Sequence, residues 1–212
     1  MNKEELRTEV IPKLEKIIQF SLKNNLDLHT CTGGKYGELW VASELWKHEP
    51  KLSHERSAVK GVEKPTGCDI ILTRTKKKLE VKWGMLHHRG DDSFFKRTEE
   101  IPFWGWGFSS GKQFIDKKFD YCILLAAKKD GAHPQHIFVI KIDEMTEESM
   151  GWKRRSGVSN KGSFYIEFSN DKNYYYKRKW HCGSSPLERS LCEQKSLHEE
   201  RWREIKRKGM LE

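Results

Sequence analysis

The sequence predicts an α/β domain built on a mixed central β-sheet flanked by helices. Three observations carry that prediction. "YCILLAAK" (121–128) and "HIFVIKI" (136–142) are apolar at successive positions, the mark of strands covered on both faces. Apolar residues recur at three and four in two segments within the first fifty residues, the helical period. Between these parts, "GCDIILTRTKKKLEVKWG" (67–84) reads as two short strands joined by a charged turn.

Taken in order, "KEELRTEVIPKLEKIIQFSLKNN" (3–25) is a helix whose core side is Leu14, Ile17 and Ile18, with Ser21 and Leu22. Pro12 marks a kink or a start within it. "LDLHTCTGG" (26–34) reads as a linker, and "KYGELWVASELWKHEP" (35–50) as a helix opened by two glycines and closed by Pro50. Leu39, Ala42, Leu45 and Trp46 form its core face. Glu38 precedes Val41, Ala42 and Leu45 by three, four and seven residues and so points with that face. Glu44 lies about 240° around the helix from Glu38 and is expected in solvent. "KLSHERSAVKGVEKPTG" (51–67) is polar and punctuated. After the hairpin, 87–111 reads as irregular and "KQFIDKKFD" (112–120) as helical. "SFYIEFS" (163–169) alternates, which suits an outer strand. Ser185, Pro186 and Glu188 form a capping box with proline at the first helical position, and the basic last turn suits the helix dipole.

The 212 residues suit one domain, with a core at about 33–142. Residues 143–212 then supply a basic loop, an outer strand and a C-terminal helix for DNA contact or dimerisation. The formal charge of +9 favours a polyanionic partner or an anionic surface. No apolar run approaches the ~20 residues that span a bilayer, and no secretory h-region opens the chain. Five irregularly spaced cysteines give no disulfide framework, which places the chain in a reducing cytoplasm.

The hairpin carries acids where apolar strands should have none. Alternation puts Leu79, Val81 and Trp83 on one face and Glu80 and Lys82 on the other. Antiparallel pairing brings Asp69 to the Glu80–Lys82 end. Two carboxylates forced together repel, and a divalent cation removes the conflict. Oxygen donors select Mg²⁺ or Mn²⁺ over zinc. Glu38 adds a third carboxylate, and Lys82 stands where it can hold or deprotonate a water. Such a set equips a site for metal-assisted attack on a phosphodiester.

On the pieces "GKYGELWVASELW", "GCDIIL", "LEVKWG", "FDYCILLAA" and "HIFVIKI", the chain resembles the PD-(D/E)XK nuclease superfamily, the restriction-endonuclease-like fold. The resemblance implies Asp69 as the central metal ligand, with Glu80 and the Val81 backbone carbonyl beside it. It implies Lys82 orienting or activating the attacking water, and Glu38 binding metal directly or through water. Cys68 stands where the family often has proline, a position without chemistry. The implied reaction leaves a 5′-phosphate and a 3′-hydroxyl. The role implied is a prokaryotic or phage-encoded type II restriction endonuclease. It would cut a short palindrome in double-stranded DNA as a homodimer, with a cognate DNA methyltransferase encoded nearby. Other nucleases of this fold are the alternative, and then a DNA-binding protein without catalysis.

Candidate DNA readers lie outside the core. His87, His88, Arg89 and Lys96 follow the catalytic strand, and Lys153, Arg154, Arg155 and Asn160 occupy a basic loop. Each group is either a DNA contact or a solvated loop. Arg74, Lys76, Lys77 and Lys78 read as a charged turn, with contact to the DNA backbone the lesser alternative. "FWGWGF" is either aromatics packed under a loop or a base-stacking platform. His181, Cys182, Cys192 and His198 match no standard zinc spacing. The basic end of the C-terminal helix, Arg201 to Lys208, is a solvated face, a dimerisation element or a phosphate contact.

Overall fold

The computed structural model describes residues 3–24, 28–48, 54–56, 68–72, 74–89, 101–108, 118–146, 148–149, 164–170 and 185–211. Helices α1 (Lys3–Glu5), α2 (Ile11–Lys23) and α3 (Leu28–His48) open the chain. A π-helical turn, Leu6–Val10, joins α1 to α2, and Pro12 sits in the first turn of α2. Proline lacks an N–H and crowds the preceding turn, so the wider π spacing absorbs it. The apolar face of α2 is offset from the expected one: Leu6, Ile11, Ile18 and Ser21 are buried, whereas Ile17 is 43 % exposed.

The expected linker at 26–34 is mostly helix, because α3 begins at Leu28 and runs through both glycines. The first of them serves packing. A Cβ on Gly33 would lie 2.7 Å from Trp83 Cδ1, so the glycine makes room for the indole. Tyr36 meets the same ring edge-on at 4.9 Å.

Strands β1 (His54–Arg56), β2 (Ile70–Leu72), β3 (Lys78–Gly84), β6 (Tyr121–Ala127) and β7 (Pro134–Lys141) form a mixed sheet in the order β1-β2-β3-β6-β7. Only the β3–β6 pair is parallel. β1 lies within a segment that composition marks as merely polar. Every residue of β6 is buried, as its apolar run predicts for a central strand.

A second, antiparallel sheet, β4-β5-β8, is made by Leu86–Arg89, Ile101–Phe108 and Phe164–Phe168. This corrects the irregular reading of 87–111. "FWGWGF" is strand, with Trp104, Trp106 and Phe108 alternating into the core at 1–2 % exposure. Their burial also removes the base-stacking option. Trp104 Nε1 donates to Ala127 O at 2.7 Å and Trp106 Nε1 to Leu125 O at 3.2 Å, so the second sheet is tied to β6. β8 is an edge strand, as expected, but of this second sheet. The expected helix at 112–120 lies almost wholly outside the described residues.

Helices flank the central sheet unequally. On the Leu79/Val81 face, Val41, Ala42 and Leu45 of α3 pack with Trp202 and Ile205 of the last helix. On the Cys122/Leu124 face, the cover is the second sheet with Leu187 and Leu191. The expected C-terminal helix is two, α4 (Pro186–Glu193) and α5 (Lys195–Lys208). The Ser185–Glu188 capping box forms as its sequence predicts. Among the described residues no helix is long and apolar enough to cross a membrane.

Candidate active site

β2 starts at Ile70, opposite Leu79, and the described part of the hairpin turn is residues 74–77. The next residue, Asp69, leaves that register: its N–H donates to Leu79 O at 2.9 Å, where a continued ladder would leave it unbonded to β3. Its side chain then replaces the strand: Val81 N–H donates to Asp69 Oδ2 at 2.8 Å. A residue in a strand points its N–H and C=O to the same edge, so the Val81 carbonyl faces this edge as well.

Glu80 and Lys82 lie on the face of the second sheet. Glu80 is buried, its side chain 5 % exposed, and Lys82 Nζ donates to Glu80 Oε1 at 2.5 Å. Lys82 Nζ also lies 5.6 Å from the centre of the Phe108 ring. Cys122, opposite Glu80 in the parallel register, underlies the pair.

The electrostatics join these groups. Burial raises the Asp69 pKa, Glu80 raises it further and Glu38 adds to the rise, against the Val81 hydrogen bond, leaving it at about 7. Burial alone would favour loss of the Lys82 proton, but Glu80 and Asp69 outweigh it and hold the pKa above its usual value. Lys82 is thus an ammonium at neutral pH, a donor rather than a base. Burial, and next Glu80, push the Cys122 thiol well up, so it stays neutral.

Glu38 reaches the site from the other layer. Its helix packs on the Leu79/Val81 face, yet its charge is felt at Asp69, just before β2 begins. Lys35 Nζ pairs with Glu38 Oε2 at 2.5 Å. The i,i+3 spacing of that pair was visible in the sequence and was not used. Phe108 escaped notice because its strand was read as irregular. Glu44 corrects the expectation of a solvated carboxylate: its side chain is 15 % exposed and pairs with Lys47.

The residues that could hold a hard divalent cation are Asp69 and Glu80, with the Val81 carbonyl, and the repulsion at Asp69 is what such a cation would relieve. Among the described residues no three His, Cys, Asp or Glu side chains close into a metal cage.

The sequence-predicted DNA readers are not brought to the site by anything described. His87, His88 and Arg89 lie on strand β4 instead of a loop, opposite Phe103, Pro102 and Ile101, and their side chains are outside the described residues. Lys96, Lys153, Arg154, Arg155 and Asn160 lie outside the described residues, as do His181 and Cys182. His198 is buried, its Nδ1 2.8 Å from Val139 O, and serves to join α5 to β7. Arg201 is engaged by Glu144, its NH1 2.8 Å from Oε2. Compared with protein-family models, with curated proteins and with solved structures, the chain matches none.

Proposed function

We propose that this chain is a Mg²⁺-dependent DNA endonuclease that hydrolyses phosphodiesters to a 5′-phosphate and a 3′-hydroxyl. The carrying observation is the meeting of Asp69, Glu80 and Lys82 on one hairpin, with Glu38 felt from a preceding helix. The resemblance to the PD-(D/E)XK superfamily adds the order of these residues along the chain and a mixed sheet on which they sit.

Asp69 and Glu80, with the Val81 carbonyl, would hold the cation, and Glu38 would bind it directly or through water. The bound cation supplies a nucleophilic water and neutralises charge on the phosphate. Asp69 has one oxygen committed to Val81 N–H, which fixes the carboxylate and leaves Oδ1 for a ligand. Lys82, kept protonated, donates to an oxygen of the water or phosphate and orients it. Neutral Cys122 and the Phe108 ring wall the site and exclude bulk water beneath it.

The role that best suits the resemblance is type II restriction, with a twofold dimer cutting both strands of a palindrome. The formal charge of +9 suits such a polyanion.

Purified protein is incubated with plasmid and with RNA, in Mg²⁺ or EDTA, beside Glu80→Ala. Discrete DNA fragments that need Mg²⁺ and vanish with the substitution are expected, with loss of about 10²–10³-fold or more, the scale of removing one electrostatic stabiliser. Smears, nicks confined to junctions or RNA breakdown point to another nuclease of this fold. No cleavage of any nucleic acid removes the enzymatic reading.

A further inference from the structure

The turn between β2 and β3 and the end of α5 are far apart in sequence and adjacent in the fold. Thr75 Oγ1 donates to Gly209 O at 2.8 Å, and Leu211 N–H donates to Tyr121 Oη at 3.2 Å. These bonds fasten the basic end of α5 beside the basic turn. Some of the cations gathered there are already employed. Lys77 pairs with Asp120 at 2.9 Å and Lys208 with Glu204 at 3.2 Å. Lys76, Lys78, Arg203 and Arg207 are exposed, and among the described residues no ion pair engages their charged groups.

Their placement is ordered. Lys78 alternates with Glu80 and Lys82 and so shares the face of the candidate active site. At about 3.3 Å per residue it stands roughly 7 Å along β3 from Glu80. One strand of duplex DNA carries a charge every ~3.4 Å of axis, so that interval spans one to two phosphates. Lys76 marks the next step, at the tip of the turn, with φ 58°. Arg203 and Arg207 are four apart on α5 and share one helix face.

We propose that Lys78, on the face of the candidate active site, Lys76 in the turn, and the Arg203–Arg207 face of the helix that ends beside that turn together grip the phosphate backbone of duplex DNA around this end of the sheet, next to the Asp69–Glu80 site. This rests on the nuclease reading above. It joins two clusters that the sequence leaves separate into one sequence-independent grip.

The test is the salt dependence of binding. A labelled linear duplex is titrated in EDTA, which prevents cleavage, with the full chain and with Lys76→Gln/Lys78→Gln/Arg207→Gln, over a series of salt concentrations. Each lost phosphate contact lowers the slope of log affinity against log salt by about 0.9, so the variant should lose about 2–3 from the slope and bind more weakly throughout. The substituted side chains are exposed, and an unchanged thermal midpoint confirms the fold. A variant with the parent's slope and affinity overturns the grip, as does a parent that binds anionic vesicles but no duplex. If the chain cuts DNA while the variant keeps the slope, the grip alone fails. If the slope falls but no nucleic acid is cut, the grip stands and the nuclease reading fails.

Discussion

Glu80 is a carboxylate almost without water, and its partner stands two residues along the same strand. Lys82 holds it at 2.5 Å. Removing one member of such a pair leaves the other desolvated without compensation, whereas removing both charges leaves no debt. Lys82→Ala should therefore cost about 1–3 kcal/mol of stability in EDTA, and Glu80→Gln/Lys82→Met should recover most of it. Urea unfolding of the parent and both variants measures this. Equal stability of parent and Lys82→Ala would show that the pair contributes nothing to the fold. Strand alternation was enough to set Glu80 and Lys82 on one face, because a period of two leaves no other choice. It gave no view of Phe108 or Cys122, which come from strands that contact β3 only in three dimensions. Glu44 was misjudged for the same reason: angle around a helix tells which residues share a face, not how far neighbouring elements wrap that helix.

Elements were legible where the period was strong. The apolar run of β6, the capping box of α4 and the hairpin all form where the sequence marks them. α3 was misplaced at its start because adjacent glycines normally interrupt helices. Here Gly33 is required by Trp83, while a Cβ on Gly34 would meet nothing within 4 Å. The two positions should respond oppositely. Gly34→Ala removes glycine's helix penalty and should stabilise by up to about 1 kcal/mol. Gly33→Ala drives a methyl into the indole and should destabilise by about 1–3 kcal/mol, less the same helix gain. Thermal or urea midpoints of the two variants decide it. Two changes of the same sign and size would mean that Trp83 does not pack on this helix. β5 was missed through its glycines too, since Gly105 and Gly107 mask the period of two set by Trp104, Trp106 and Phe108.

At the scale of the molecule, the two sheets meet around an aromatic cluster that includes a histidine. His136 of β7 stands edge-on to Trp104 at 5.5 Å and to Phe168 at 5.4 Å. Burial, with help from Lys195, lowers its pKa to about 4. The unfolded chain takes up this proton near the ordinary histidine value, and the folded chain only much lower. Its contribution to stability is thus complete above the ordinary value of 6.5 and is lost as pH falls from there through about 4. His198 shifts in the same direction, chiefly through burial, at the seam of α5 and β7. Asp69, with its folded pKa raised to about 7, works in the opposite sense over the same range, so the expected outcome is a difference: between about pH 7 and pH 5 the parent should lose more stability, or gain less, than His136→Phe. Urea midpoints at both values test the sign. The same pH dependence in the parent and in His136→Phe would contradict a neutral histidine at this seam.

By itself the sequence determined which residues alternate, which segments bury both faces and which acids are out of place on their strands. Those are local properties, set by periods of two and 3.6 and by the cost of burying charge. The tertiary structure decided what lies over the candidate active site, because β4, β5 and β8 pair across long stretches of chain. It also decided that the charge of Glu38, on a helix packed on the Leu79/Val81 face, is felt at Asp69. The joining of the hairpin turn to the end of α5 is of the same kind. It depends on Thr75 and Gly209, 134 residues apart, whose contact no local period encodes.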